Sequence, residues 1–401
     1  MTPTIPPPAA ASARAAAMDP PITAGAAVAA PPARLVSLDV YRGFIMFVLA
    51  AHGFGLAKEA ANHPGSVVWQ FLAYQFDHVA WRGCGFWDLI QPAFMFMVGV
   101  AIPYSYASRK ARGDSDGKII LHSLWRSLVL IVLAVFLASQ SGTQTNWRFT
   151  NVLGQIGLGY TAVMLLRGRG VKTQLLALAG ILIGYWLLFA LYPASGSDFG
   201  SHWALRANAA HRFDVWFLNL FPGAKPFVSQ DGGYQTLNFI PSMGTMLLGL
   251  MAGETLRSTL TDRAKLQRIL GAAAVCFVLG IAADPSILPG VNASWTLCPI
   301  VKRIWTPSWT LFSAGWTLTL LGAFYWSIDM KGWRRWTFPF VVVGMNSIAI
   351  YLMGQLMGGW VRGQLRIHFG ITHQIASAVA VAVVFWCICY WMYRRKIFLR
   401  I

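Results

Sequence analysis

Apolar residues fall in long runs, with polar ones confined to the gaps between them. About 20 helical residues cross a bilayer core. Runs of roughly that length occupy 36–56, 87–107, 119–139, 151–166, 174–192, 237–256, 267–283, 308–327, 338–360 and 374–393, the fourth and seventh being short. The pattern predicts an all-α polytopic membrane protein of about ten transmembrane helices. Gaps on one side of this ladder are short and basic. Those on the other, 57–86, 193–236 and 284–307, are long and hold Trp, His, Asp and Asn. Long polar loops carry binding more often than short ones.

Composition agrees with this reading. Of 401 residues 56% are hydrophobic and 11% charged, with mean hydropathy +0.53. The net charge of +18 could suggest a nucleic-acid partner. Its distribution excludes one, because Lys and Arg gather in clusters between the spans. The side with the short gaps receives about twice as many of them as the other, which predicts that it is cytoplasmic and holds both termini. Residues 1–33, rich in Pro and Ala, read as a disordered cytoplasmic tail. Residues 34–401 read as the transmembrane domain. Five cysteines, Cys84, Cys276, Cys298, Cys387 and Cys389, make no paired framework, so neither disulfide nor metal is expected. No internal repeat is visible.

Chemistry concentrates where polar residues enter apolar spans, since an ionisable group at that depth costs ~2.5–3.5 kcal/mol on insertion scales. Asp39 and Arg42 share one face near the cytoplasmic start of the first span. They either pair at the headgroups or hold an anionic ligand. His52 sits near the outer end of the same span, as a helix-end histidine or a reacting group. His78 follows Asp77 and precedes Asp88 by ten residues, with Trp81 and Trp87 placed to exclude water. A carboxylate beside an imidazole fixes its tautomer and suits a general base, which marks His78, Asp77 and Asp88 as catalytic candidates. Asn346, in the ninth span, either ties helices together or lines a cavity. Glu254 and the Lys302-Arg303 segment have the same two readings.

The stretches Arg34-Leu-Val-Ser-Leu-Asp39-Val-Tyr-Arg42-Gly43 and His78-Val-Ala-Trp81-x-Gly83-x-x-x-x-Asp88-Leu-x-x-Pro92-x-Phe94-x-Phe96-x-x-Gly99 resemble the membrane acetyltransferases related to heparan-alpha-glucosaminide N-acetyltransferase. Ile240-Pro241-Ser242, Gly249-x-x-x-Gly253-Glu254 and Gly344-Met-Asn346-Ser-Ile-x-x-Tyr351 fit the same family. The resemblance covers about residues 34–360. It implies that acetyl-CoA, bound from the cytoplasm, gives its acetyl group to an amine or hydroxyl of a sugar or glycoconjugate on the other face. It places the family's catalytic histidine on His78, acting as a base or as a transient acetyl carrier. Donor or acceptor contacts are expected from their own settings at Asp39, Arg42, His52, Trp81 and Asn346. Two departures stand out: Ala51-His52-Gly53 where the family has an Asn, and Leu153-Gly154-Gln155-Ile156 where it has Leu-Gln-Arg-Ile. The expected setting is a bacterial inner membrane, with the bilayer and a glycan acceptor as partners and a homodimer open. A transporter or flippase of a polar or lipid-linked sugar is the alternative, and an accessory subunit of an envelope polysaccharide system a third reading.

Overall fold

The computed structural model describes residues 35–399 apart from Ser195 and Ser294; the expected tail, with Arg34, lies outside the described residues. Among the described residues 71% are helical and no strand occurs. Among the described residues fourteen α-helices follow one another: α1 Val36–Ala50, α2 Leu56–Ala60, α3 Val67–Phe76, α4 Ile90–Ala111, α5 Asp116–Ser139, α6 Val152–Leu165, α7 Val171–Ala190, α8 Ala209–Leu218, α9 Phe239–Arg257, α10 Asp262–Ala283, α11 Pro307–Phe324, α12 Phe338–Met345, α13 Ser347–Phe369 and α14 Gln374–Arg394.

Every expected apolar span corresponds to one of these helices or to a bent pair. Among the described residues six helices are long and apolar enough to cross a membrane, or up to eight spans if each bent pair counts as one. Two of the ten expected spans fall short of that standard for different reasons. α6 has 14 residues, so at 1.5 Å per residue it reaches ~21 Å of a ~30 Å core. α9 has 19 residues but is rich in Gly, Ser and Thr. It packs against α4, α6, α7 and α11 and is mostly buried. A helix enclosed by protein has no lipid to face, so its sequence can be less apolar.

α5, α7 and α10 instead turn apolar surface outward. On α5 that surface includes Leu121, Trp125, Leu128, Val132 and Phe136, all more than half exposed. Such a stripe on a membrane helix meets lipid.

The close packing of α4 on α9 is made by glycine. A Cβ on Gly99 would collide with the Met246 carbonyl, one on Gly249 with the Phe96 carbonyl, and one on Gly253 would lie 2.5 Å from the Val100 oxygen. Close backbone approach of this kind is how helices associate where lipid is as apolar as leucine.

The two bends have local causes. Between α1 and α2 four successive residues, His52, Gly53, Phe54 and Gly55, have positive φ, and the helix axes turn by 42°. Between α12 and α13 Asn346 leaves helical geometry (φ −124°, ψ 36°), and the axes turn by 78°. The start of α1 is capped from afar, by the Asp329 carboxylate accepting from the Val36 and Ser37 N–H groups at 3.2 Å each. Anionic caps at a helix N-terminus satisfy orphan donors and oppose the helix dipole.

Candidate active site

The site begins where α3 ends. Asp77 terminates α3 in an extended conformation, and the chain runs through residues 78–85 into a short 3₁₀ turn, Phe86–Leu89, that feeds α4. Asp88 lies in that turn and is buried, its side chain 2% exposed. Its Oδ2 accepts the N–H groups of Val79 and Gly85, both at 3.2 Å. Its Oδ1 lies 2.8 Å from His78 Nδ1 and 3.3 Å from Lys302 Nζ. Four donors converge on one carboxyl group, an arrangement that suits the ionised form. An ionised carboxylate only accepts, so the proton of this pair sits on Nδ1. That leaves the Nε2 lone pair as the reactive position of the ring.

Lys302 arrives from 214 residues beyond Asp88 in sequence. Two loops joined by polar contacts bring it there. Gly83 N–H donates to the Ile300 carbonyl at 3.0 Å. Arg82 reaches Asp284, Ser286 and Thr296, and the other Asp284 oxygen accepts Ile300 N–H at 2.7 Å. Arg303 points away from the carboxylate, donating to the Gly232 and Val79 carbonyls. The Lys302 side chain is 6% exposed. Burial, partly offset by Asp88, draws its ammonium down from the usual 10.5 to about 8. Burial pushes the neighbouring Cys84 thiol up, so Cys84 stays protonated and is a poor nucleophile.

His78 and Lys302 open onto a cavity of about 180 Å³ whose other walls are Met46, Leu49, Trp87, Ile90, Gln91, Phe94, Val152 and Tyr351. This is smaller than the ~300–1,000 Å³ that buries a drug-sized ligand. Its size suits the reacting part of a larger ligand rather than the whole of one. Low-polarity walls strengthen the electrostatics of the few charged groups inside.

The structure brings together His78 and Asp88 from the residues singled out in the sequence, and places Trp87 in the cavity wall. It does not bring the others there. The Asp77 carboxylate accepts the His78 backbone N–H at 2.7 Å rather than the ring. Asp39 and Arg42 pair with each other at 3.3 Å and are not among the residues lining the cavity, the nearer of its two α1 residues, Met46, following Arg42 by one helical turn. His52 is exposed at the α1–α2 bend, beside α13. The Trp81 indole donates to the Trp203 carbonyl and lines a separate cavity with Arg82 and Leu205. Asn346 is fully buried and ties down the C-terminal segment, donating to the Ile397 carbonyl and accepting from Leu399 N–H. Glu254 holds the α6–α7 connection through Gly168 N–H and Gln174. Gln155, at one of the departures from the family pattern, donates to the Phe149 and Thr236 carbonyls.

Lys302 lines the cavity, one of the two readings the sequence left open for the Lys302-Arg303 segment, and Gln91 and Tyr351 are polar lining residues that the sequence did not single out as site residues. A lysine in an otherwise apolar stretch, Pro299-Ile-Val-Lys302, was the available signal. Among the described residues no group of three or more His, Cys, Asp or Glu is placed to hold a metal ion.

A helical integral membrane protein with a carboxylate-held histidine in a small apolar cavity is the class that fold and site define. Comparison with known proteins gives the particular relationship. The chain is 25% identical over 424 residues to heparan-alpha-glucosaminide N-acetyltransferase of Homo sapiens, covering 93% of this chain. It is 25% identical over 421 residues to the protein of that name from Mus musculus, covering 92%. It spans 61% and 60% of the length of these curated relatives. No family model matches the chain. The resemblance carried by the motifs thus extends along nearly the whole chain, which is a divergent relative of these acetyltransferases.

Proposed function

We propose that the protein transfers an acetyl group from acetyl-CoA to an amino group or hydroxyl of a sugar or glycoconjugate. The observation that carries this reading is the His78–Asp88 pair at the wall of a cavity, together with the acetyltransferase names of its relatives. In the proposed reaction the thioester carbonyl and the acceptor meet in front of His78. Nε2 takes the acceptor proton as the acceptor lone pair bonds to the carbonyl carbon. The carbon–sulfur bond then breaks, and the CoA thiolate leaves with that proton, returned by His78. Asp88 holds the ring orientation and steadies the imidazolium formed in between.

In this reading acetyl-CoA enters from the cytoplasmic side and the acceptor from the opposite face of a bacterial inner membrane. The charge distribution between the spans supports that orientation. His78 lies in one of the three long connections assigned to the outer side.

Purified protein in detergent tests the reading through two expected results. Acetyl-CoA at about 100 times its Kd stabilises the fold by ~2.7 kcal/mol, read as a rise in Tm. Labelled acetyl-CoA with glucosamine yields N-acetylglucosamine over many turnovers. Absence of both contradicts the proposal and leaves the transporter reading in its place.

A further inference from the structure

Lys302 has more hydrogen-bonding capacity than its neighbours use. An ammonium carries three N–H donors. One meets Asp88 Oδ1 at 3.3 Å. His78 Nδ1 lies 3.2 Å away, but that nitrogen already bears the proton shared with Asp88 at 2.8 Å and has no lone pair to offer. Among the described residues Nζ makes no further hydrogen bond, and the Tyr234 ring centroid lies 6.0 Å away. A side chain 6% exposed therefore keeps unmatched N–H donors while contributing to the wall of the cavity that His78 also lines.

We propose that Lys302 is a further catalytic residue, whose spare ammonium hydrogens stabilise the oxyanion formed when the acetyl carbonyl is attacked in front of His78. This rests on the acetyl-transfer reading above. As the acceptor lone pair forms its bond to the carbonyl carbon, the C=O π electrons move onto oxygen, and that oxygen accepts from Lys302. When the C=O bond re-forms, the carbon–sulfur bond breaks and the thiolate departs with the proton from His78. Lys302 keeps its own proton throughout, so no further reactant is needed. Its tie to Asp88 holds the side chain in place before reaction. A fixed donor aimed at developing charge in a low-dielectric site needs no reorganisation at the moment of reaction. With Lys302 drawn down only to about 8, the ammonium remains the main form at neutral pH.

The test uses the full chain in detergent with acetyl-CoA and glucosamine. Removing one oxyanion donor costs ~10²–10³ in kcat. Lys302→Met is therefore expected to lower kcat about 100-fold or more and to leave both KM values within about threefold. Met also leaves Asp88 buried without its counter-charge, so Lys302→Gln is measured beside it. Gln can donate to Asp88 but carries no charge, and it is expected to keep the wild-type Tm within a few degrees while still losing kcat. Retention of wild-type kcat by either variant, or a loss confined to KM, overturns the assignment. In that case wild-type turnover leaves acetyl transfer itself standing. A wild-type protein without turnover overturns both.

Discussion

His78 and Asp88 stand ten positions apart, close enough for their pairing to be read from the sequence. Lys302 does not share that advantage. It joins them through the contact between the 77–85 and 298–304 loops, and no local spacing encodes an approach across more than 200 residues. Asp39, Arg42, Trp81 and Asn346 show the opposite case. Each is a polar or aromatic residue in an apolar setting, yet a neighbour accounts for it: Arg42 for Asp39, the Trp203 carbonyl for Trp81, the C-terminal segment for Asn346. Burial of a polar group signals that it has a partner, not what the partner is. The Lys302–Asp88 contact also has a consequence for stability. The folded ammonium titrates near 8 and the unfolded one near 10.5. Between those values the unfolded chain binds more protons, so this group's contribution to stability rises as pH climbs through the window. Thermal unfolding in detergent checks the sign. The Tm of wild type minus that of Lys302→Met is expected to increase between pH 8 and 10.5, and a decrease contradicts the assigned direction.

Helix positions were largely legible because an apolar run of membrane length can satisfy its backbone in lipid by coiling into a helix and in few other ways. Their breaks and enclosure were not. The sequence from 36 to 56 reads as one span, whereas four residues of positive φ separate α1 from α2. α9 reads as a membrane helix by length, but its Gly, Ser and Thr content reflects neighbours on many sides. Glycine separates these two environments in a testable way. Gly249 faces the Phe96 backbone of α4, while Gly180 on α7 has nothing within 4 Å of an added Cβ. Gly180→Ala is expected to be neutral or stabilising by up to ~1 kcal/mol, the ordinary helix preference for Ala over Gly. Gly249→Ala is expected to destabilise by ~1–3 kcal/mol, the range for overpacking a tight core. Paired Tm measurements decide, and equal tolerance at both sites contradicts the account of the α4–α9 contact.

In the proposed reaction the work is divided between two faces of a membrane, and the two substrates meet in the cavity at His78. Its walls come from α1, α4, α6, α13 and the loops carrying His78 and Lys302, so the bundle positions each reacting group from a separate element. Asp39 and Arg42 mark the far end of α1 and do not line that cavity. The most direct measurement is the rate of labelled acetyl transfer to glucosamine by wild type and His78→Ala, with acetyl-CoA binding followed in parallel by thermal shift. His78→Ala is expected to retain the acetyl-CoA-induced rise in Tm and to lose at least about 100-fold in kcat, the lower end for a general base. Full turnover by His78→Ala would contradict the central claim.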